Sequence, residues 1–121
     1  MADLRGAPVD AHVLTTMVES IGPEVTTLVV QAYLASAPQR MSALQDATDA
    51  GGQPLRAAAH VLTASSATVG ATALADLCWE VEAAVARDDE AQARSAAFAA
   101  IDQLETVVAW LSSSPWAGTI A

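Results

Sequence analysis

Residues 54–86 read PLRAAAHVLTASSATVGATALADLCWEVEAAVA. Pro54 stands where helices accept proline, in the first turn, and Gly70 stands where a helix ends in a left-handed residue. Between them, a step of about 100° per residue collects Leu55, Ala58, Ala59, Leu62, Ser66 and Val69 on one stripe. Beyond Gly70 a second stripe, Leu74, Leu77, Cys78, Val81 and Val85, runs from about Thr72 to Ala86. The stretch therefore predicts two amphipathic helices, and so short a connection makes them antiparallel neighbours.

The same periodicity continues on either side of this stretch. Asp10 can cap a first short helix over about 10–20, with Val13, Leu14, Met17, Val18 and Ile21 repeating at three and four. Gly22-Pro23 resets the chain, and a second helix starts at Pro23 with Val25, Leu28, Val29, Ala32 and Tyr33 on its inner side. Pro38 is expected to bend or divide that helix, because proline removes a backbone donor and crowds the preceding turn. Helix resumes through Met41, Leu44 and Ala47 as far as a loop at Asp49-Ala50-Gly51-Gly52. On the other side, Arg87-Asp88-Asp89 leads into a last helix over about 90–112. Ala97, Ala100, Ile101, Leu104, Val107, Val108 and Leu111 face inward there, and Ser113-Ser114-Pro115 ends it.

The whole pattern is all-α: an antiparallel four-helix bundle over about 23–112, a short first helix capping an open end, and a tail at 113–121. Residues 1–121 fit a single domain, since domains run to about 100–150 residues. Of the 121 residues 29 are alanine, so helices can approach closely, and the larger Leu62, Leu77, Leu104 and Tyr33 carry much of the packing energy.

Composition removes several function classes. Five Arg+Lys against 14 Asp+Glu give a net charge of -9, which repels a phosphate backbone and excludes nucleic acid as a partner. A 53% hydrophobic share comes largely from alanine, and no apolar run approaches the roughly 18 residues of a membrane span. The N-terminal stretch lacks the basic and apolar regions of a secretory leader, and a lone Cys78 cannot form an internal bridge. The expectation is a cytoplasmic protein, with Cys78 a small core hydrophobe and no metal site. Every cation is an arginine, at 5, 40, 56, 87 and 94, and lysine is absent.

One residue is out of place for a core. His60 points away from the third helix's apolar stripe, with Arg56 and Ala57 one turn before it, Thr63 and Ala64 one turn after, and Ala67 a turn further. An imidazole thus stands over a floor of methyl groups with one cation and one hydroxyl in reach. Imidazole is nucleophilic near neutral pH without a separate base and can accept a phosphoryl group. Arg56 and Thr63 could then hydrogen-bond the phosphoryl oxygens. His12 also falls off its helix's stripe, but nothing around it suggests chemistry.

The segment 59–82 resembles the histidine-containing phosphotransfer (HPt) domain family. The family pattern is an alanine-histidine pair, a leucine two on, lysine-glycine-serine-serine or -alanine, a turning glycine, a leucine-cysteine and a hydrophobic-glutamate pair. His60, Leu62, Ser65, Ser66, Gly70, Leu74, Cys78 and Glu82 match it in order and spacing. The resemblance implies a phosphorelay intermediate rather than an enzyme. His60 would take a phosphoryl group from the aspartate of a response regulator's receiver domain and pass it to another receiver. It also implies a histidine kinase among the partners, no cofactor on this chain, and magnesium held by the receiver alone. Ala57, Ala64, Ala67 and Ala71 would form part of the docking floor of a monomer.

Two positions beside the imidazole depart from the pattern. Thr63 stands where the family has lysine and Ala64 where it has glycine, and Arg56 could compensate for the missing cation. These departures keep open an alternative, an adaptor that binds a receiver or kinase without carrying phosphate. A helical interaction module with no signalling role would require the motif to be coincidence. Of the remaining residues, Trp79 is expected to pack beneath the first helix, with a partner contact as its other reading. Trp110 and Trp116 would seal the bundle end, and Ser66 would bond back to a carbonyl of its own helix.

Overall fold

A computed structural model describes residues 7–117. Residues 1–6, which open the stretch read for a leader, and residues 118–121 of the tail lie outside the described part. Five α-helices follow in order: α1 (Ala11–Ile21), α2 (Pro23–Ala50), α3 (Gly52–Thr68), α4 (Thr72–Ala86) and α5 (Glu90–Ser112), with a closing 3-10 turn at Pro115–Ala117. No strand occurs among the described residues. None of the described helices is long and apolar enough to cross a membrane.

Helices α2 to α5 form the four-membered bundle. Each packs on its neighbour in sequence, and α2 closes the ring against α5. Short connections make successive helices antiparallel. Leu14, Leu44, Leu55, Leu62, Leu74, Leu104 and Leu111 fill the centre and are fully buried. Leu62, Leu104 and Tyr33 thus hold the central positions expected of them, whereas Leu77 is only half-buried against the core. Helix α1 lies on α2, its N-cap Asp10 accepting from the His12 backbone N–H at 3.0 Å. The segment entering it covers the α3–α4 turn, where the Asp10 N–H donates to Gly70 O at 2.8 Å and Val9 is buried. At the C-terminal end the Trp110 and Trp116 rings stack at 6.5 Å and 16°, half-buried against the core. The Gln31 amide donates to Ala117 O at 3.2 Å and ties the last turn to α2.

Helix α2 differs from its sequence reading in two ways. It is one continuous helix with Pro38 inside it, so proline does not divide it. The lost donor is tolerable because packing on three neighbours, not backbone bonding alone, holds the helix. Its buried residues are Thr26, Val30, Tyr33, Ala37, Leu44, Ala47 and Thr48, while Val25 and Leu28 are exposed. Residues 25–34 are apolar nearly all round, so periodicity alone does not select the inner face. A threonine looks external on such a wheel, yet the Thr26 hydroxyl donates to Gly22 O at 2.8 Å and enters the core satisfied. The loop expected at 49–52 shrinks to Gly51, since α3 begins before Pro54.

The polar groups in the core are all bonded, and no buried side-chain nitrogen or oxygen among the described residues lacks a partner. Ser66 does not bond back to its own helix as expected; its hydroxyl pairs with the Tyr33 hydroxyl at 2.9 Å and links α3 to α2. Burial raises the Tyr33 pKa above its usual value, partly offset by that bond. Cys78 is fully buried, and burial, reinforced by the nearby Glu82 charge, pushes its thiol up to about 12. Thiolate is the reactive form, so native protein is expected to react with a thiol reagent only as fast as it unfolds. Rapid titration of one thiol per chain under native conditions would contradict this.

Candidate functional site

The site is built on α3 and α4, which pack side by side along most of their lengths. Leu55, Ala59, Leu62 and Ser66 turn the inner face of α3 into the core, which leaves the His60 side outward. The His60 side chain is 76% exposed, so it owes its orientation to no packing and must be held by a polar partner. That partner is Glu82 of α4. His60 Nδ1 lies 2.8 Å from Glu82 Oε1, and the glutamate is only 17% exposed.

A carboxylate can only accept, so the ring nitrogen in this contact carries the proton. With Nδ1–H spent on Glu82, Nε2 is the ring nitrogen left for another partner on this 76% exposed side chain. Fixing one ring nitrogen in this way decides which of the two is nucleophilic. Glu82 Oε2 meets a second donor, the Thr63 hydroxyl, at 2.8 Å. The same Oγ1 stands 3.0 Å from Ala59 O on its own helix.

The other sequence-predicted residues fall in two groups. Arg56, Ala57, Ala64 and Ala67 are exposed on the His60 side of α3, and Arg56 takes part in no ion pair among the described residues. Ala71 does not belong with them. It is the N-cap residue of α4, 0% exposed, because the α3–α4 turn folds it inward, and so it contributes nothing to a docking floor. Thr63 is half-buried, and its one hydroxyl hydrogen has two acceptors within the protein, which is not the free donor the sequence suggested.

Trp79 also corrects its reading. It is 60% exposed and lies one turn before Glu82 on α4, while α1 packs on α2, so no first helix covers it. An exposed tryptophan one turn from Glu82 is a feature of α4 that periodicity could flag only as off-stripe. Glu82 was visible in the sequence as a motif position but not as a ligand of the histidine. The signal available was its place at the margin of the α4 stripe, four residues after buried Cys78. No group of three or more potential metal ligands occurs among the described residues.

The Hpt domain family pattern matches residues 28–111, from within α2 to near the end of α5. Histidine-containing phosphotransfer protein B (HptB) from Pseudomonas aeruginosa PAO1, known from a crystal structure, is similar with a TM-score of 0.69 and 27% sequence identity. The likeness covers 88% of this chain and 89% of that one. None of the curated proteins compared with the chain matches it.

Proposed function

The chain belongs to the Hpt domain family, and from that premise we propose that it carries a phosphoryl group on Nε2 of His60 between partner receivers. The observation that carries this reading is an imidazole 76% exposed and bonded through Nδ1 to Glu82, which leaves the other nitrogen open to a partner.

The chemistry balances with no catalyst on this chain. Nε2 attacks the phosphorus of a receiver's aspartyl phosphate; the Nε2–P bond forms as the P–O bond breaks, and the aspartate leaves as carboxylate. The ring becomes a phosphoimidazolium whose positive charge faces the Glu82 carboxylate across the Nδ1–H bond. Transfer to a second receiver reverses these steps. Phosphoryl transfer is mostly positioning and charge neutralisation, and a bundle with so little polar machinery supplies the positioning. The receiver brings the magnesium. Arg56, one turn before His60 and free of ion pairs among the described residues, is the cation available to the phosphoryl oxygens.

The docking face comprises Ala57, Ala64 and Ala67 around the imidazole, with Trp79 as a large apolar anchor at its α4 edge. The methyl floor lets a receiver approach the ring closely. We assign the chain to the cytoplasm as a monomer, with response-regulator receivers and a histidine kinase as partners and phosphate supplied by them.

The test is incubation with a phosphorylated receiver while following label on this chain. Phosphate that is acid-labile and alkali-stable is the expected product. Binding without uptake would instead support the adaptor reading, which Thr63 and Ala64 at the family's lysine and glycine positions keep available.

A further inference from the structure

We infer that Thr63 is a positioning residue that sets the tautomer of His60 through Glu82. This rests on the phosphocarrier reading above and replaces, for Thr63, the role of phosphoryl contact. The observation behind it is a two-link chain: the Thr63 hydroxyl lies 2.8 Å from Glu82 Oε2, and Glu82 Oε1 lies 2.8 Å from His60 Nδ1.

Each link does what the other cannot. His60 stands in solvent and has no packing to choose between its two tautomers, and a free histidine ring favours the proton on Nε2, which would remove the nucleophile. Glu82 reverses that preference only if its carboxylate stays in place. A glutamate is a long side chain with several rotatable bonds, and one hydrogen bond leaves its carboxylate free to turn. The Thr63 bond occupies the second oxygen and fixes the plane of the group. Thr63 is suited to the task because a β-branched side chain has few rotamers in a helix; its single hydrogen is shared between Glu82 Oε2, the shorter contact at 2.8 Å, and Ala59 O at 3.0 Å. Glu82 is mostly buried, so water competes weakly for either oxygen.

The family pattern has a cationic lysine at position 63; threonine is short and neutral, and its one hydrogen points at acceptors inside the protein. The substitution at the family's lysine position therefore moves the work of this residue from the phosphoryl group to the imidazole.

Nitrogen NMR of histidine-labelled protein, without any receiver, reads the tautomer directly at mildly alkaline pH. His60 is told from His12 by the signals missing in His60→Gln. The parent is expected to show Nδ1 protonated and Nε2 unprotonated. Thr63→Val, which keeps the shape and removes the hydroxyl, should move the populations toward the Nε2–H form, as Glu82→Ala should more completely. Thr63→Ser should restore the parental pattern. Phosphate uptake from a phosphorylated receiver should fall about tenfold in Thr63→Val and stay near parental in Thr63→Ser, the size expected for losing a hydrogen bond to a charged group. A tautomer unchanged in Thr63→Val overturns the inference, as does a changed tautomer with unchanged uptake. A parent that takes up no phosphate contradicts the phosphocarrier reading instead, and the tautomer measurement still decides whether Thr63 positions His60.

Discussion

Replacing His60 by glutamine is expected to abolish uptake of acid-labile phosphate while leaving the bundle folded. Glutamine retains a polar side chain that can still donate to Glu82, but its amide has no lone pair able to attack phosphorus. The stability change should be small, within about 0.5 kcal/mol, because an exposed surface position away from core and caps contributes little. His60 is such a position, with its side chain 76% exposed and one polar contact. Receiver binding should persist in the variant, since the Ala57, Ala64, Ala67 and Trp79 surface is untouched. Uptake that survives the substitution would place the phosphate on another residue and remove the basis for the site described here.

The largest effect on stability is expected at Gly70. Its φ of +82° lies in the left-handed region, and a Cβ built there would sit 2.6 Å from the backbone oxygen of Asp10 and 3.1 Å from the Val13 side chain. Backbone cannot swing aside as a flexible side chain can. Gly70→Ala must therefore combine the strain of a left-handed alanine with a displaced α1 entry. It puts at risk the Asp10 N–H to Gly70 O bond and the neighbouring Ala71 N–H to Ser66 O bond, both 2.8 Å. Together these should cost about 3 kcal/mol, lowering Tm by roughly 10 °C. The measurement is thermal or urea unfolding beside the parent; a change below about 0.5 kcal/mol would show that the α3–α4 turn does not depend on glycine. The glycine is also what brings α4 back along α3 and so sets Glu82 opposite His60.

Much of this architecture was legible because the deciding elements are strongly amphipathic and sharply punctuated. The helices at Thr72–Ala86 and Glu90–Ser112 run where periodicity and the Asp88-Asp89 turn put them, and Asp10 caps α1 as its residue type suggests. The inner face of α2 was not legible, since residues 25–34 are apolar nearly all round and a back-bonded Thr26 takes a core position. Periodicity is a statement about one helix, whereas the Tyr33–Ser66 bond, the burial of Ala71 and the exposure of Trp79 are set by how helices meet.

The candidate site divides in the same way. His60 stood out because it leaves its helix's stripe, and Arg56, Thr63 and Ala64 followed from a helical repeat of three and four. What the repeat cannot give is a partner on another helix. Glu82, 22 residues away in sequence, reaches His60 only because α3 and α4 are antiparallel at one register. That contact changes the meaning of Thr63 from a donor facing the phosphoryl group to one facing a carboxylate.

Phosphorus–nitrogen NMR correlation on protein loaded from a phosphorylated receiver identifies the phosphorylated nitrogen and so decides whether His60 carries phosphate through Nε2. Phosphate is expected on Nε2 of His60, with Nδ1 still protonated against Glu82. Phosphate on Nδ1, on another residue, or on none at all from a competent receiver would contradict this assignment.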